Sequence, residues 1–477
     1  MRIVRLVILL VFPLLCGISP ASANPVPFVN QPLVPSSIKP GGSAFTLTVN
    51  STGFVRGAVV KWNGSPRSTT FVNSSQLKAA ISASDIARVE TARVTVVNPI
   101  PGGGTSNVAN FQVVTPHKLA FASKRFNQGD GSRTLWSTTL GDFNRDGILD
   151  LIGSNVSGNE ILVALGNGDG TFQSPIATPI QIMAFQTGVV GDFNEDGKLD
   201  FAIINDTNSV AVFLGKGNGR FQKEQSFLTA ISPSGLVVGD LNGDGHLDLA
   251  VAAQNANVIS VLLGKGDGTF QSHVDTPTTN APEFLTVGDF NRDGKLDLVA
   301  IGYNQEIDVM LGNGDGTFSE GASYFSSVFF LVPADMNGDG KLDLVGSTGQ
   351  SLLIFPGNGD GTFKPPKTVF QVGRNESVNG LALADMRGNG ILDLVTIFQT
   401  PTLYLLVVDP TGHDVFSFTV DSDSNLFAGD LNNDGRPDAG ATAQGYWDTV
   451  YIQKSKKAAR SAPRDATKRL RKAGSTD

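Results

Sequence analysis

The chain has 477 residues, 44 acidic and 36 basic side chains, a formal net charge of −8 and a single cysteine, Cys16. One cysteine excludes a disulfide framework, so stability has to come from core burial and, where the sequence provides for it, from bound metal. The acidic balance excludes nucleic acid as the partner of the body of the chain, and no stretch beyond the N-terminus is long and apolar enough to cross a membrane.

Residues 1–23 combine Arg2 and Arg5, a short apolar core and the ending Ala21-Ser-Ala23. A charged start, an apolar core too short to span and small residues at the end predict an export signal cleaved before Asn24. The expected location is therefore secreted, cell-surface or periplasmic. Leu15 stands before Cys16 where lipid attachment calls for a small residue, so lipidation is not expected.

Residues 24–116 form the next predicted unit. Short alternating segments at 45–50, 58–62, 92–97 and 107–114 are separated by turn residues, which predicts a small β-sandwich. The order Ile38-Lys-Pro-Gly-Gly42, Val60-Lys-Trp-Asn-Gly64 and Val94-Thr-Val-Val-Asn-Pro99 resembles IPT/TIG immunoglobulin-like domains. Trp62 is read as core rather than as a ligand-stacking residue. The glycine-rich segment 99–105 is read as a loop inside this unit, because a strand still follows it. The boundary is placed near 115–117.

From there to residue 453 the chain repeats. The pattern Gly288-Asp-Phe-Asn-Arg-Asp-Gly-Lys-Leu-Asp-Leu298 has copies starting at Asp142, Asp192, Asp240, Asp335, Asp385 and Asp430, spaced 45 to 50 residues apart. Hard oxygen donors at positions 1, 3, 5, 7 and 9 around a glycine at position 6 are the ligand chemistry of calcium. Six loops are complete: Asp142, Asn144, Asp146, Ile148 and Asp150; Asp192, Asn194, Asp196, Lys198 and Asp200; Asp240, Asn242, Asp244, His246 and Asp248; Asp289, Asn291, Asp293, Lys295 and Asp297; Asp335, Asn337, Asp339, Lys341 and Asp343; Asp430, Asn432, Asp434, Arg436 and Asp438. The position-7 residue offers its backbone carbonyl in each, so the His246 side chain is expected to face solvent. The loop is similar to an EF-hand but has Ala300 in place of the bidentate Glu and apolar β-prone runs in place of helices.

A second landmark, such as Leu165-Gly-Asn-Gly-Asp-Gly-Thr-Phe172, follows each of the first five loops and predicts a tight hairpin. Strands entering and leaving the loop, plus two flanking the hairpin, give four per repeat. Seven repeats of that kind predict an all-β fold: a seven-bladed β-propeller preceded by the small immunoglobulin-like sandwich. Exit strands such as Leu249-Ala-Val-Ala252 are continuously apolar, which predicts burial on both faces. The coupled motifs resemble the FG-GAP/VCBS repeat of integrin-α-like propellers over residues 118–453. That resemblance implies calcium-bearing blades in an exported protein and implies no single activity.

With Asn at position 3, three carboxylates face each ion, so affinity on the order of 10⁻⁴ to 10⁻³ M is expected. The plain alternative for these Asp residues is turn capping, which six loops with one ligand set make the weaker reading. The sixth loop carries Arg387 and Asn389 at positions 3 and 5 and is expected to be metal-free, with Arg387 neutralising Asp385 and Asp393. Residues 24–453 hold 25 basic against 42 acidic side chains, and six calcium ions would offset much of that excess. The seventh repeat lacks the second hairpin, and the segment 119–126 is expected to close its sheet. Residues 454–477 hold nine Lys or Arg against Asp465 and Asp477, a disordered tail whose one expected contact is an anionic cell surface.

No catalytic residues are assigned. The four histidines (His117, His246, His273 and His413) form no metalloprotease motif, and no nucleophile elbow or phosphate loop is present. Trp136, the aromatic run at 324–330 and Trp447 depart from the repeat and are read as packing. The expected function is adhesion to, or recognition of, an extracellular protein or glycan, without enzymatic activity. The alternative is a polysaccharide lyase or hydrolase on the same scaffold.

Overall fold

The computed structural model describes residues 24–453 apart from 26, 30–32, 101–102, 107, 117, 128–134, 156–158, 181–187, 206–207, 375, 401, 421–425 and 443–446. The expected export signal at 1–23 and the basic tail lie outside the described residues, as do the side chains of Trp136 and Trp447. The described residues are all β apart from one 3-10 turn at Gln254–Ala256, and no helix is long and apolar enough to cross a membrane.

Two sheets make up the N-terminal unit. One runs Phe28–Val29, Phe45–Thr52, Gln76–Ile81, Thr69–Asn73; the other runs Ser37–Ile38, Ala109–Val113, Glu90–Asn98, Val59–Trp62, Ser65–Pro66. Alternating residues of both, among them Leu47, Leu77, Val94 and Phe111, share one core. Trp62 is 1 % exposed with its ring 5.1 Å from that of Phe111, so it is a core residue as expected.

Seven four-stranded antiparallel sheets follow, an arrangement consistent with a propeller. The fourth sheet is typical: Pro282–Gly288 enters the candidate metal loop, Asp297–Gly302 leaves it, and Glu306–Gly312 and Phe318–Phe325 flank the hairpin. The exit strands Asp150–Asn155, Asp248–Ala253 and Asp297–Gly302 are buried at every residue, which follows from their continuous apolarity. Hydrophobic clusters lie between each sheet and the next. Phe143, Ile152 and Val163 of the first sheet meet Phe201, Ile203 and Phe213 of the second, each side chain contributing roughly 1.5–3 kcal/mol by burial.

The series closes on itself. Phe427, Leu431 and Val450 of the last sheet share a cluster with Leu151, Leu162 and Phe172 of the first. The last sheet takes its outer strand from the far end of the repeat region: Phe121–Asn127 pairs antiparallel with Trp447–Gln453, from Phe121 opposite Gln453 to Asn127 opposite Trp447. The closing segment expected from the missing hairpin is therefore in place, and it removes an exposed sheet edge.

Candidate metal loops

Each candidate metal loop is a chain of side-chain-to-backbone hydrogen bonds wound around its glycine. In the fourth, Asp289 accepts from the amides of Asp293 (3.1 Å) and Gly294 (3.0 Å), Asn291 from Asp293 (2.9 Å), and Asp293 from Lys295 (2.9 Å). Gly294 sits at φ +86°, a conformation that costs an ordinary residue strain. The first-position Asp accepts from its two loop amides in the same way in all six complete loops. Each carboxylate oxygen has two lone pairs, so one backbone donor leaves capacity for a cation.

The ninth-position Asp does something else as well. Asp297 accepts from Phe290 at the second loop position (2.9 Å) and from Gly312 in the following hairpin (2.8 Å), tying the two landmarks of one sheet together. Asp150, Asp200, Asp248 and Asp343 repeat the bridge. The hairpin then reaches the neighbouring sheet: Gly219 donates to the carbonyl of Phe143 (3.1 Å), Gly268 to Phe193 (2.9 Å) and Gly361 to Phe290 (3.1 Å). The hairpin Phe packs edge-on against the same loop residue, as with Phe363 and Phe290 at 5.7 Å. This explains why the two motifs travel together: each hairpin is the receptor of the preceding loop.

Burial and like charge load these carboxylates. Desolvation, with the other loop carboxylates adding to it, pushes Asp200, Asp248 and Asp438 up to about 8, and Asp150 and Asp192 up to about 7. Asp240, Asp297 and Asp430 are pushed up to about 6, with Asp142, Asp289 and Asp343 raised for the same reason. Among the described residues no three or more Asp, Glu, His or Cys side chains are gathered closely enough to hold a metal, because the carboxylates are turned to loop amides. The donor set nonetheless fits a hard divalent cation: a buried ninth-position carboxylate whose pKa burial raises, two further carboxylates at positions 1 and 5, an amide oxygen and a backbone carbonyl.

Four expectations need correction or extension. His246 does not face solvent; its Nδ1 pairs with Glu195 in the loop of the preceding sheet, and that bond raises its pKa. Arg387 binds Asp393 and reaches the Asp414 carbonyl (2.9 Å), but it does not bind Asp385. Asp385 is held instead by the amides of Asn389 (2.9 Å) and Gly390 (2.8 Å) and by the hydroxyl of Ser37, a residue the sequence reading did not single out. In the last sheet Gln453 stands in for the missing hairpin: its amide N–H binds Asp438 (2.7 Å), and its side chain donates to the carbonyls of Met386 (2.8 Å) and Pro437 (2.7 Å). Of the aromatic run, Tyr324 packs on Phe363 and takes its amide (2.7 Å), whereas Phe325 and Phe329 are 81 % and 55 % exposed.

A cleft of about 300 Å³ lies between the third and fourth sheets, lined in part by Thr279, Asp308, Met310 and Glu320. Asp308 is occupied by the hydroxyls of Ser323 (2.7 Å) and Thr279 (3.2 Å), and no histidine or basic side chain lines the cleft.

The model of the FG-GAP-like repeat matches five segments, 142–203, 192–251, 240–300, 289–334 and 335–396. No curated protein matches the chain significantly. Among solved structures it is similar to BBS1N in complex with ARL6DN, at 10 % identity and TM-score 0.52 over 71 % of this chain and 99 % of that one. An Agrocybe aegerita lectin recognising non-reducing terminal N-acetylglucosamine matches at 19 % identity and TM-score 0.44, covering 73 % and 92 %. An auxiliary nutrient binding protein from Bacteroides ovatus matches at 12 % identity and TM-score 0.37, covering 90 % and 98 %.

Proposed function

Because the chain belongs to the FG-GAP-like repeat family, we propose that it is an exported, calcium-braced recognition protein: a seven-bladed propeller with an immunoglobulin-like N-terminal domain, binding an extracellular protein or glycan. The observation that carries the calcium reading is the sixfold recurrence of one oxygen-donor set in which burial makes the free carboxylates unfavourable. In each loop the Asp at positions 1, 5 and 9, the Asn at position 3 and the position-7 carbonyl hold the ion. Calcium replaces the proton that burial favours on the ninth-position Asp and locks loop to hairpin. The ion supplies charge neutralisation and rigidity, and no reaction step is assigned to it.

Recognition is placed at the sheet ends opposite the loops. Antiparallel strands put the second-to-third turns and the sheet-to-sheet connections there, and they expose Tyr303 (74 %), Phe325 and Phe329 beside Asn304 and Gln305. Flat aromatic faces next to amide donors suit a sugar ring or a peptide. The test passes the mature protein over immobilised polysaccharides and matrix proteins, with calcium and with chelator, and scores retention and released cleavage product. Calcium-dependent retention without product is expected. Product release would overturn the non-enzymatic reading.

A further inference from the structure

The N-terminal unit rests on the metal-loop end of the ring, and the position-6 glycines mark its seat. A Cβ added to Gly147 would meet the Arg93 guanidinium at 3.1 Å, one on Gly245 would meet Pro25 at 3.0 Å, and one on Gly390 the Ser37 carbonyl at 3.3 Å. Gly294 and Gly435 lie as closely against Asn73 and Thr91. Gly197 and Gly340, in the second and fifth loops, meet nothing. Glycine at this position thus serves two ends, the left-handed turn of the loop and the close approach of a second unit.

At loop six the contact is polar and buried. Ser37 is 1 % exposed and Asp385 3 %. The Ser37 hydroxyl donates to Asp385 and accepts from the Gly390 amide (3.1 Å), while the Asn389 and Gly390 amides complete the shell of the carboxylate. Arg387, 11 % exposed at its side chain, carries the positive charge and holds the ninth-position Asp393. In the first five sheets that ninth Asp takes a hairpin amide; here the hairpin glycine is missing and the guanidinium takes its place.

We propose that loop six is a docking socket: a metal loop converted into a cation-independent pin that fastens the N-terminal unit to the ring through Ser37 and Asp385. Charge-assisted hydrogen bonds from a hydroxyl and two amides hold the carboxylate, and the fixed guanidinium excludes a divalent ion. The N-terminal unit also approaches the position-6 glycines of loops one, three, four and seven, and not those of loops two and five. The pin depends on loop six alone and stands whether or not calcium fills the other loops.

The experiment compares wild type, Ser37→Ala and Asp385→Asn by hydrogen exchange over residues 385–391 and by small-angle scattering, each in calcium and in chelator. Bound calcium per chain is counted in parallel, and circular dichroism confirms that the variants fold. Both substitutions are expected to speed loop-six exchange about tenfold and to enlarge the radius of gyration, in chelator as in calcium, with the calcium count unchanged. Unchanged exchange in both variants, or a calcium ion lost in Asp385→Asn, would overturn the socket. Failure of wild type to bind calcium at all would remove the calcium reading and leave the exchange result to decide the pin.

Discussion

The fifth and sixth sheets have the same strand–loop–strand frame and meet its electrostatic demand by different means. In the fifth, Asp335, Asp339 and Asp343 share one loop and face backbone amides, the amide of Asn337 and the Lys341 ammonium 3.7 Å from Asp339, and the Gly357 amide joins Asp343 to the hairpin. In the sixth, one acidic position has become Asn389, a guanidinium has entered at Arg387, and the hairpin Asp409–Asp414 is joined to the loop through that same side chain. The comparison teaches that the ninth Asp is the fixed part of the design. Its partners can be an amide pair, as in sheets one to five and, with Gln453 in place of the hairpin glycine, at the closing seam, or an arginine, as in sheet six.

The comparison can be broken most severely at that seam. Deleting residues 118–127 removes the strand paired to Trp447–Gln453 and reopens the ring; calorimetry is expected to show loss of the single cooperative melting transition. An unchanged midpoint would mean that the strand does not close the ring. A smaller effect separates the two loop types. Asp393→Ala removes the buried partner of the Arg387 guanidinium, leaving it only Asp414, and should cost at most about 3–5 kcal/mol, equally in calcium and in chelator. Asp297→Ala orphans the amides of Phe290 and Gly312, at about 1–3 kcal/mol each. Its cost should be larger in calcium, because a bound ion is lost too. Denaturant unfolding of both variants under both conditions checks the contrast.

The raised carboxylates make a pH prediction. A folded-state pKa above the unfolded 3.8 means that the folded protein holds protons more tightly, so the stability these groups contribute is full below about pH 4 and is lost as pH rises through 7 to 8. In chelator the melting temperature should fall across that window, whereas the increment added by calcium should grow. The smallest effect is expected at the pair between the second and third loops. Glu195→Gln should cost at most about 1 kcal/mol. His246 has its pKa raised by Glu195, so the loss should be seen below the ordinary histidine pKa and vanish as pH passes above the raised one.

Much of this was legible in the sequence because it is periodic. The spacing of the loops, the four strands per repeat, the double-sided burial of segments such as 249–252 and the closing strand before the first loop all follow from comparing one repeat with another. What the repeat does not encode stayed hidden. Ser37 meets Asp385 across 348 residues, and nothing in a lone serine within a two-residue strand announces that partner. Gln453 ends a strand whose apolar pattern is ordinary, and its role shows only once Met386 and Pro437 are beside it. His246 was misread because its loop position fixes the backbone, while Glu195 from the preceding sheet decides where the ring goes. The hairpin's grip on the preceding loop could have been suspected from the constant pairing of the two motifs, but its direction around the ring required the fold.

Six of the seven loops are proposed to hold calcium, and loop six, at Asp385, is proposed not to. The direct measurement is the number of calcium ions bound per chain at saturation, by equilibrium dialysis with atomic spectroscopy, in wild type and in a variant carrying Asp297→Ala. Six ions, falling to five in the variant, are predicted. No saturable binding, or a count that does not respond to the loss of Asp297, would contradict the account.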